Sequence, residues 1–440
     1  MSFKRTFLTL GLVFIIVMVA FAGACSSTTT TTTATVTKTA AAQTTTATAT
    51  ATATTTATAT KTAAAETKTL TIAIVTPLTN FAVNVSMNFE RAVIMAIDDQ
   101  NAKGGVTIGG QNYNLAYIVR DDKFDTATAK SLAEEMVFNE KVPVIFGPSQ
   151  NEGPALQPTT NENKVLMFCM SPIPEMCKPE YPYTFYLGGI QSQQYATVME
   201  YITKFYPDAK KVVSFYGDLS DEPAQSAAAK QMCDYYDLEW SGMVKFPAST
   251  TDFAPYAQKL MAYDPDVIDL SGCGGALGSL EGTMVKQFRE AGYTGIIDMP
   301  TVPPPGIMDT VPAEYMDKIV TNDININGSI VSAEYKSLVT RFQTQYNELP
   351  IDFFVQAYNG ASAFFEFLDT QSTMDTEQWM QNFANYKWTG VFGEDAQWVG
   401  EPIFGINRAL MTNFWTSEWK NGVLDTSYVN NLPTELWISK

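Results

Sequence analysis

The chain has 440 residues, 46 of them acidic and 28 basic, with no histidine and a formal net charge of −18. This charge argues against nucleic-acid binding, because phosphate contacts require clustered Lys and Arg. The lack of histidine excludes Ser-His-Asp and Cys-His catalysis and every His-ligated zinc site. Hydrophobic residues make up 45% of the chain, enough to build the cores of two or three domains.

The first 24 residues have the form of a secretory signal. Lys4 and Arg5 precede an apolar run over 7–22, and small residues stand immediately before Cys25. This ending resembles a bacterial lipobox, which implies cleavage before Cys25 and a lipid on its sulfur. An uncleaved membrane anchor is the alternative, since residues 7–24 are barely long enough to span a bilayer. Either interpretation places the remaining chain outside the cytoplasmic membrane.

Residues 25–69 form a segment rich in Thr and Ala. From 26 to 69 the chain has no Gly, Pro or aromatic residue, and Val36 is its only large aliphatic side chain. Such a segment cannot bury enough apolar area to offset the entropy lost on ordering. It is predicted to be a tether, reaching on the order of 40 Å as a coil, that holds a globular domain away from the membrane.

From residue 70 onward, apolar runs of strand length alternate with segments of helical spacing. The first series predicts strands at 70–75, 114–120, 142–146 and 165–170, with helices at 89–101, 126–138 and 151–164. After 183–187 a second series predicts strands at 211–215, 239–246, 267–270 and 295–298, with helices at 191–205, 220–236, 253–262 and 277–291. The final part is predicted to be helical over 332–385, followed by short strands around Trp398, Ile403 and Met411. This alternation predicts an α/β protein in which parallel sheets have helices on both faces.

The order of these segments resembles the extracytoplasmic solute-binding proteins of ABC transporters, specifically the leucine/isoleucine/valine-binding type I periplasmic binding proteins. The resemblance covers residues 70–440 and rests on Asn101-Ala-Lys-Gly-Gly105 with Gly109-Gly110, the acidic pair Asp121-Asp122, Val144-Ile-Phe-Gly147, Gly393, and the segment from Gly400 to Asn407. It implies two doubly wound, Rossmann-like lobes joined by three crossovers near Leu187, Thr321 and Trp388. Lobe one is then 70–187 with 322–388, and lobe two is 188–321 with 389–440.

A ligand is expected in the cleft between the lobes, beyond the carboxyl ends of the strands. The candidate ligand-binding residues are Thr79, Phe81, Ser149, Asn151 and Ser171 in lobe one and Tyr216, Asp218, Gly274 and Thr301 in lobe two. Ser149 and Asn151 stand where a strand meets a helix, so side chains, backbone N–H groups and helix dipole all favour a carboxylate. Alternatively, Asn151 only caps its helix.

The resemblance implies hydroxyl residues around an amino-acid carboxylate, and Ser171 falls on one such position. Ile173, however, stands where a threonine is expected, and the segment 299–305 around Thr301, where an acid is expected to bind an ammonium group, contains none. Asp218, Asp221 and Asp298 are the alternative acids for this role. Aromatic loop residues such as Phe81 and Tyr216 favour an apolar or aromatic ligand body. The ligand is therefore predicted to be a small carboxylate that is amino-acid-like, aromatic or aliphatic.

Four cysteines remain besides Cys25, and Cys169 with Cys177 is the best candidate for a disulfide. Buried free thiols are the alternative, and a metal site is not expected. The glycine-rich segment 272–278 follows a predicted strand, but its G-x-G-x-x-x-G spacing departs from the dinucleotide-binding pattern. No cofactor is expected.

These observations predict a non-catalytic receptor that is lipid-anchored on the outer face of the cytoplasmic membrane. Its expected partners are a small-molecule ligand and the transmembrane subunits of an ABC permease, with the protein itself a monomer. Two alternatives stay open: a ligand sensor or envelope regulator of the same fold, and a hydrolase that uses carboxylates. The hydrolase requires two acids close together in the cleft, and no predicted loop offers an obvious pair.

Overall fold

The structure is a computed structural model. It describes residues 66–79, 83–149, 151–171, 176–188, 190–219, 222–273, 275–299, 306–322, 330–350, 354–411, 415–420, 422–430, 432 and 436–437. The predicted signal, Cys25 and nearly all of the predicted tether lie outside these ranges. None of the helices within them combines the length and apolar character needed to cross a membrane.

The strands of the described residues follow the predicted alternation. In chain order they are β1 (Lys68–Thr76), β2 (Val106–Ile108), β3 (Gln111–Asp121), β4 (Val144–Phe146), β5 (Leu166–Cys169), β6 (Thr184–Tyr186), β7 (Lys211–Gly217), β8 (Glu239–Phe246), β9 (Val267–Asp269), β10 (Ile296–Met299), β11 (Ile319–Thr321), β12 (Trp388–Thr389), β13 (Asp395–Val399), β14 (Ala409–Met411), β15 (Trp415–Lys420) and β16 (Val423–Val429).

The helices lie between these strands. In chain order they are α1 (Val83–Ala102), α2 (Thr126–Glu134), α3 (Gly153–Glu162), α4 (Gln191–Phe205), α5 (Glu222–Tyr235), α6 (Ala254–Met261), α7 (Glu281–Glu290), α8 (Ala333–Tyr346), α9 (Phe354–Leu368), α10 (Thr376–Phe383) and α11 (Glu401–Phe404).

Two sheets organise these elements. The first has the strand order β12-β13-β14-β6-β5-β4-β1-β3-β2, and the second has the order β16-β15-β11-β10-β9-β7-β8. The central strands of both sheets pair in parallel. Antiparallel strands complete both edges of the first sheet and one edge of the second, whose other edge is the parallel strand β8. Because parallel crossovers place helices on both faces, the central strands are buried on both sides. The predicted doubly wound α/β class is confirmed. Each sheet with its helices is called a lobe below, lobe one containing the first sheet.

A ladder of aromatic rings sets the register in the middle of lobe one. Phe146, Phe168 and Phe185 are directly aligned on β4, β5 and β6. The first two ring centroids are 4.8 Å apart and the next two are 5.3 Å apart. All three rings are fully buried and pack with α9 and α10 through Phe364 and Phe383. Offset-stacked rings stabilise a pair beyond simple burial, so the ladder fixes the strand ends where the predicted ligand loops begin.

The lobe boundary predicted near Trp388 is wrong. β13 pairs with β14, and β14 pairs in parallel with β6, so residues 389–411 extend the first sheet and not the second. Arg408 stabilises this junction: its Nε donates to the carbonyl of Pro182 at 2.7 Å, and its guanidinium lies over the Phe185 ring. The sequence did not predict this interior strand because β14 has only three residues and follows a charged arginine. The chain therefore enters the second sheet after Met411.

The strand predicted around Ile403 is also wrong, because this segment is the single helical turn α11. Gly400 and Gly405, on either side of it, both adopt positive φ and allow the chain to turn sharply. Strands at Trp398 and Met411 are present as predicted.

Candidate ligand-binding site

A cluster of three hydroxyl groups lies at the carboxyl end of the first sheet. Thr76 ends β1, Ser149 lies in the loop after β4, and Ser86 lies in the first turn of α1; all three are fully buried. Ser149 Oγ is 2.8 Å from Thr76 Oγ1 and donates to Ser86 Oγ at 2.8 Å. Ser149, predicted as a ligand residue, therefore connects its own loop after β4 with β1 and α1 of lobe one. A ligand contact by Ser149 stays a prediction.

Asn151 is not the cap of its helix. The N-cap of α3 is Glu152, already in helical conformation, and no side chain accepts a hydrogen bond there. If Asn151 were the N-cap, Pro154 would occupy the third helical position. Proline has no N–H there to donate to a capping side chain. Asn151 is half-buried just before the helix, and Ser171 is fully buried after β5. The N-cap residue of α3 thus supplies no side-chain acceptor to the N–H groups of the first turn.

Thr79 is held by the first member of the acidic pair. Its Oγ1 donates to Asp121 Oδ2 at 2.6 Å, and the backbone N–H groups of Leu78 and Lys123 donate to Oδ1. Burial acts to raise the pKa of Asp121, but these hydrogen bonds keep it below its ordinary value. The ionised Asp121 therefore positions the loop between β1 and α1, in which Thr79 is exposed.

Asp122 and Glu152 form a buried acidic pair that sequence reasoning missed. Asp122 follows β3, Glu152 precedes α3, and neither side chain is more than 2% exposed. Asp122 Oδ2 and Glu152 Oε2 have no hydrogen-bond partner within the described part of the chain. Burial raises the pKa of each to about 7, and the charge of Asp122 contributes to the rise at Glu152. Both groups are thus expected to titrate near neutral pH beside the predicted carboxylate site.

Replacing Glu152 with Gln is expected to flatten the pH dependence of stability. The native pKa lies above the ordinary 4.5, so the native state holds this proton more tightly than the unfolded state does. Its stabilising contribution is complete at acidic pH and is lost as the pH rises from about 4.5 through about 7. Glu152→Gln should therefore be about 1 kcal/mol more stable than wild type at pH 8, the helix dipole limiting the gain.

Urea unfolding at pH 5 and pH 8 measures this difference. Glu162→Gln is the matched control, since Glu162 is exposed at the other end of α3. Equal pH dependence in wild type and Glu152→Gln would show that Glu152 is ionised throughout this range.

The predicted lobe-two residues are placed differently from one another. Tyr216 is fully buried at the end of β7, and its hydroxyl donates to Asp269 Oδ2 at 2.6 Å. Asp218 is exposed just beyond the same strand, where its N–H donates to the carbonyl of Phe246. Tyr216 therefore lies in the interior of lobe two, whereas Asp218 lies on its surface. Phe81, Gly274 and Thr301 lie outside the described residues.

The glycine-rich segment does not form the strand-to-helix turn of a dinucleotide site. Short 3₁₀ helices occupy Ser271–Cys273 and Gly275–Leu280, and α7 begins only at Glu281. A dinucleotide phosphate requires the helix to begin directly at the glycines, so that its first N–H groups face the ligand. The described residues also contain no group of three or more acidic or Cys side chains placed to bind a metal ion.

The four cysteines of the globular part are buried free thiols in this structure. Cys169 and Cys177, the predicted disulfide pair, are both fully or almost fully buried and unpaired. Burial raises the pKa of Cys169 to about 12. The alternative expectation of buried thiols therefore describes the structure, and these sulfurs behave as small apolar groups.

Two doubly wound lobes, with hydroxyl and carboxyl groups at the ends of their parallel strands, define a two-lobed binding protein. The family model described as periplasmic binding protein matches residues 69–422. The chain belongs to this family, whose members are solute-binding proteins and not enzymes.

Solved structures agree with this fold. The chain is similar to the branched-chain amino acid transporter substrate-binding protein LivJ from Streptococcus pneumoniae in complex with isoleucine. This match has 22% identity and a TM-score of 0.67 and covers 82% of this chain and 99% of that one. A solute-binding protein of an ABC transporter from Rhodopseudomonas palustris, in complex with 3,4-dihydroxybenzoic acid, has 21% identity and a TM-score of 0.66, covering 83% and 97%. The leucine-binding protein LivK from Thermotoga maritima has 19% identity and a TM-score of 0.65, covering 83% and 100%.

Proposed function

We propose that this protein captures a small carboxylate ligand between its two lobes and delivers it to an ABC importer. The observation that supports this most directly is the amino terminus of α3, whose N-cap Glu152 makes no side-chain capping hydrogen bond and follows Asn151 at the carboxyl end of a parallel sheet. Backbone N–H groups and the helix dipole favour a negative group at such a position. The isoleucine and 3,4-dihydroxybenzoic acid of the two similar structures both contain a carboxyl group.

The body of the ligand is the less constrained part of this proposal. An amino acid needs an acidic partner for its ammonium group, and residues 299–305 contain no acid. Asp218 is the exposed carboxylate beyond β7 that could take this role. Binding of 3,4-dihydroxybenzoate without isoleucine would favour an aromatic carboxylate, and the reverse would favour an amino acid held by Asp218.

Delivery to an importer and membrane anchoring are parts of the same proposal. A lipid on Cys25 and a tether over 26–69 would keep the binding lobes near the membrane while leaving them free to reorient. The same lobes without a permease partner would act as a ligand sensor or envelope regulator, and the ligand experiments below apply to both.

The carboxylate site is tested by titration calorimetry of residues 26–440 with isoleucine, leucine and 3,4-dihydroxybenzoate. We expect at least one of these carboxylates to bind and its amide or methyl ester to bind much more weakly. If every acid binds no better than its neutral counterpart, the ligand's charge is not recognised and the proposal is wrong.

Asn151→Asp is expected to weaken binding of the identified carboxylate by about 1–3 kcal/mol, the scale of a lost hydrogen bond to a charged group. The substitution changes little in shape but places a like charge beside the ligand. Asn112→Asp adds the same charge at the amino end of β3, far along the strand from the site, and controls for net charge. Unchanged affinity in Asn151→Asp would move the carboxylate site elsewhere, with Ser171 the next candidate.

A further inference from the structure

A row of polar side chains is buried across the second sheet. Ser214, Asp269 and Asp298 are directly aligned on β7, β9 and β10. Each of the three is fully buried. Neighbouring strands lie about 4.8 Å apart, so two carboxyl groups in the same row are too close for both to ionise in a dry interior.

The hydrogen bonds around the two carboxyl groups are unequal. Asp269 Oδ2 accepts from the hydroxyls of Ser214 and Tyr216, both at 2.6 Å, and its Oδ1 accepts from the N–H of Ser271 at 2.8 Å. Asp298 Oδ2 accepts only from Ser271 Oγ at 3.1 Å, and its Oδ1 has no partner among the described residues. Three donors directed at one group stabilise its anion, whereas a carboxyl with few donors is favoured in its neutral form.

The other titratable groups around the pair are neutral at physiological pH. Tyr195 of α4 is within hydrogen-bond distance of the Tyr216 hydroxyl at 2.6 Å, and Cys233 of α5 and Cys273 are both buried. The pKa values of both tyrosines and of Cys233 are raised, first by burial and then by nearby acids. Within the described ranges, neither aspartate takes part in an ion pair. No positive charge is therefore present to compensate a second anion.

We infer that Asp269 and Asp298 hold a single proton between them, which resides on Asp298, and that this singly protonated pair positions the loop that begins at Ser271. Burial raises the pKa of both groups, and at Asp298 the charge of Asp269 raises it further. The position of the proton follows from the contacts alone. The statement that the loop borders the ligand cleft rests on the proposed function.

Ser271 is the residue through which the pair acts. Its N–H binds Asp269 and its hydroxyl binds Asp298, so one residue contacts both carboxyl groups. The 3₁₀ turn Ser271–Cys273 follows, and the Cys273 thiol donates to the carbonyl of Phe215 at 3.1 Å. Ionisation of Asp298 would place two like charges in one row, and their repulsion would loosen the turn that Ser271 connects to both groups. The rate at which a reagent alkylates the Cys273 thiol therefore reports on whether Asp298 is protonated.

Asn replacements at the two positions distinguish their roles. Asp298→Asn keeps an acceptor for Ser271 and mimics the neutral acid, so this variant should fold normally. Asp269→Asn directs an amide at three donors and should be clearly less stable. Infrared difference spectra at pH 8 give the proton's position: wild type minus Asp298→Asn should contain the carbonyl band of a protonated carboxyl, and wild type minus Asp269→Asn should not.

Alkylation of Cys273 by iodoacetamide, followed by mass spectrometry of its peptide, reports on the loop without any ligand. Wild type and Asp298→Asn should react equally slowly at pH 7, and Asp269→Asn or Ser271→Ala should react at least about tenfold faster, as expected for local opening. Between pH 7 and 9 the rate of wild type should rise relative to that of Asp298→Asn.

Three results would overturn the inference: the carboxyl band absent from the Asp298→Asn difference spectrum, rapid alkylation in Asp298→Asn, or slow alkylation in Ser271→Ala. If Asp269→Asn does not fold, the comparison of wild type with Asp298→Asn and Ser271→Ala still decides. Because none of these measurements uses a ligand, failure of the proposed function leaves them unchanged.

Discussion

Trp437→Ala is expected to lower the free energy of unfolding by about 3–5 kcal/mol, the range for removing a buried Trp from a core. Trp437 is fully buried although it is the fourth residue from the end of the sequence. Its Nε1 donates to Ser192 Oγ at 2.9 Å in the first turn of α4, and its carbonyl accepts from Gly400 N at 3.0 Å after β13. Trp437 therefore connects the segment after β13 with the first helix of lobe two, through its backbone carbonyl on one side and its indole on the other.

Two truncations separate packing from chain length. A chain that stops after Trp437 should unfold at the same urea concentration as the full chain. One that stops after residue 436 should lose at least as much stability as Trp437→Ala, because it also loses the carbonyl that accepts from Gly400. Trp437→Phe retains much of the apolar contact and loses one hydrogen bond, so its loss should be about 1–2 kcal/mol. Equal midpoints for both truncations would mean that the indole adds nothing to the junction between the lobes.

Trp437 also shows what the sequence could not predict. The strands of the two predicted series were found because runs such as that ending β4 at Phe146 are continuously apolar, as a strand buried on both faces must be. A single Trp near the end of the chain has no periodic pattern around it. Likewise, β14 could not be recognised as an interior strand because the charged Arg408 precedes it. Hydrogen bonds from the guanidinium to backbone carbonyls stabilise this charge, and no sequence pattern predicts them.

The sequence predicted which loops contain the candidate site, but it did not predict which acidic groups are buried there. The loops that follow β1, β4 and β7 were expected to contain ligand residues, because carboxyl ends of parallel strands meet at one edge. The sequence does not reveal that Asp122, Glu152, Asp269 and Asp298 are buried. Their burial depends on helices that pack over them from distant parts of the chain, and only the folded structure contains that information.

Gly147→Ala is expected to cost at least about 4 kcal/mol, a loss restricted to substitutions that disrupt the core or backbone. Gly147 follows β4 with φ of +117°, and an added Cβ would lie 1.8 Å from the carbonyl oxygen of Val75 on β1. Its N–H donates to the Phe168 carbonyl at 2.6 Å, so neighbouring strands hold the residue on both sides. The new methyl group can be accommodated only if β1 and β4 separate.

Gly104→Ala isolates the cost of backbone conformation from the cost of this collision. Gly104 has nearly the same φ, +112°, but an added Cβ there meets nothing within 4 Å. Its substitution should cost about 1–3 kcal/mol, the price of holding an L-residue in that region. Urea unfolding of the two variants measures the difference, and a similar loss at both positions would mean that β1 and β4 tolerate the collision.

Since Ser149 lies two residues beyond Gly147, separation of these strands should also abolish carboxylate binding, whereas Gly104→Ala should leave affinity unchanged.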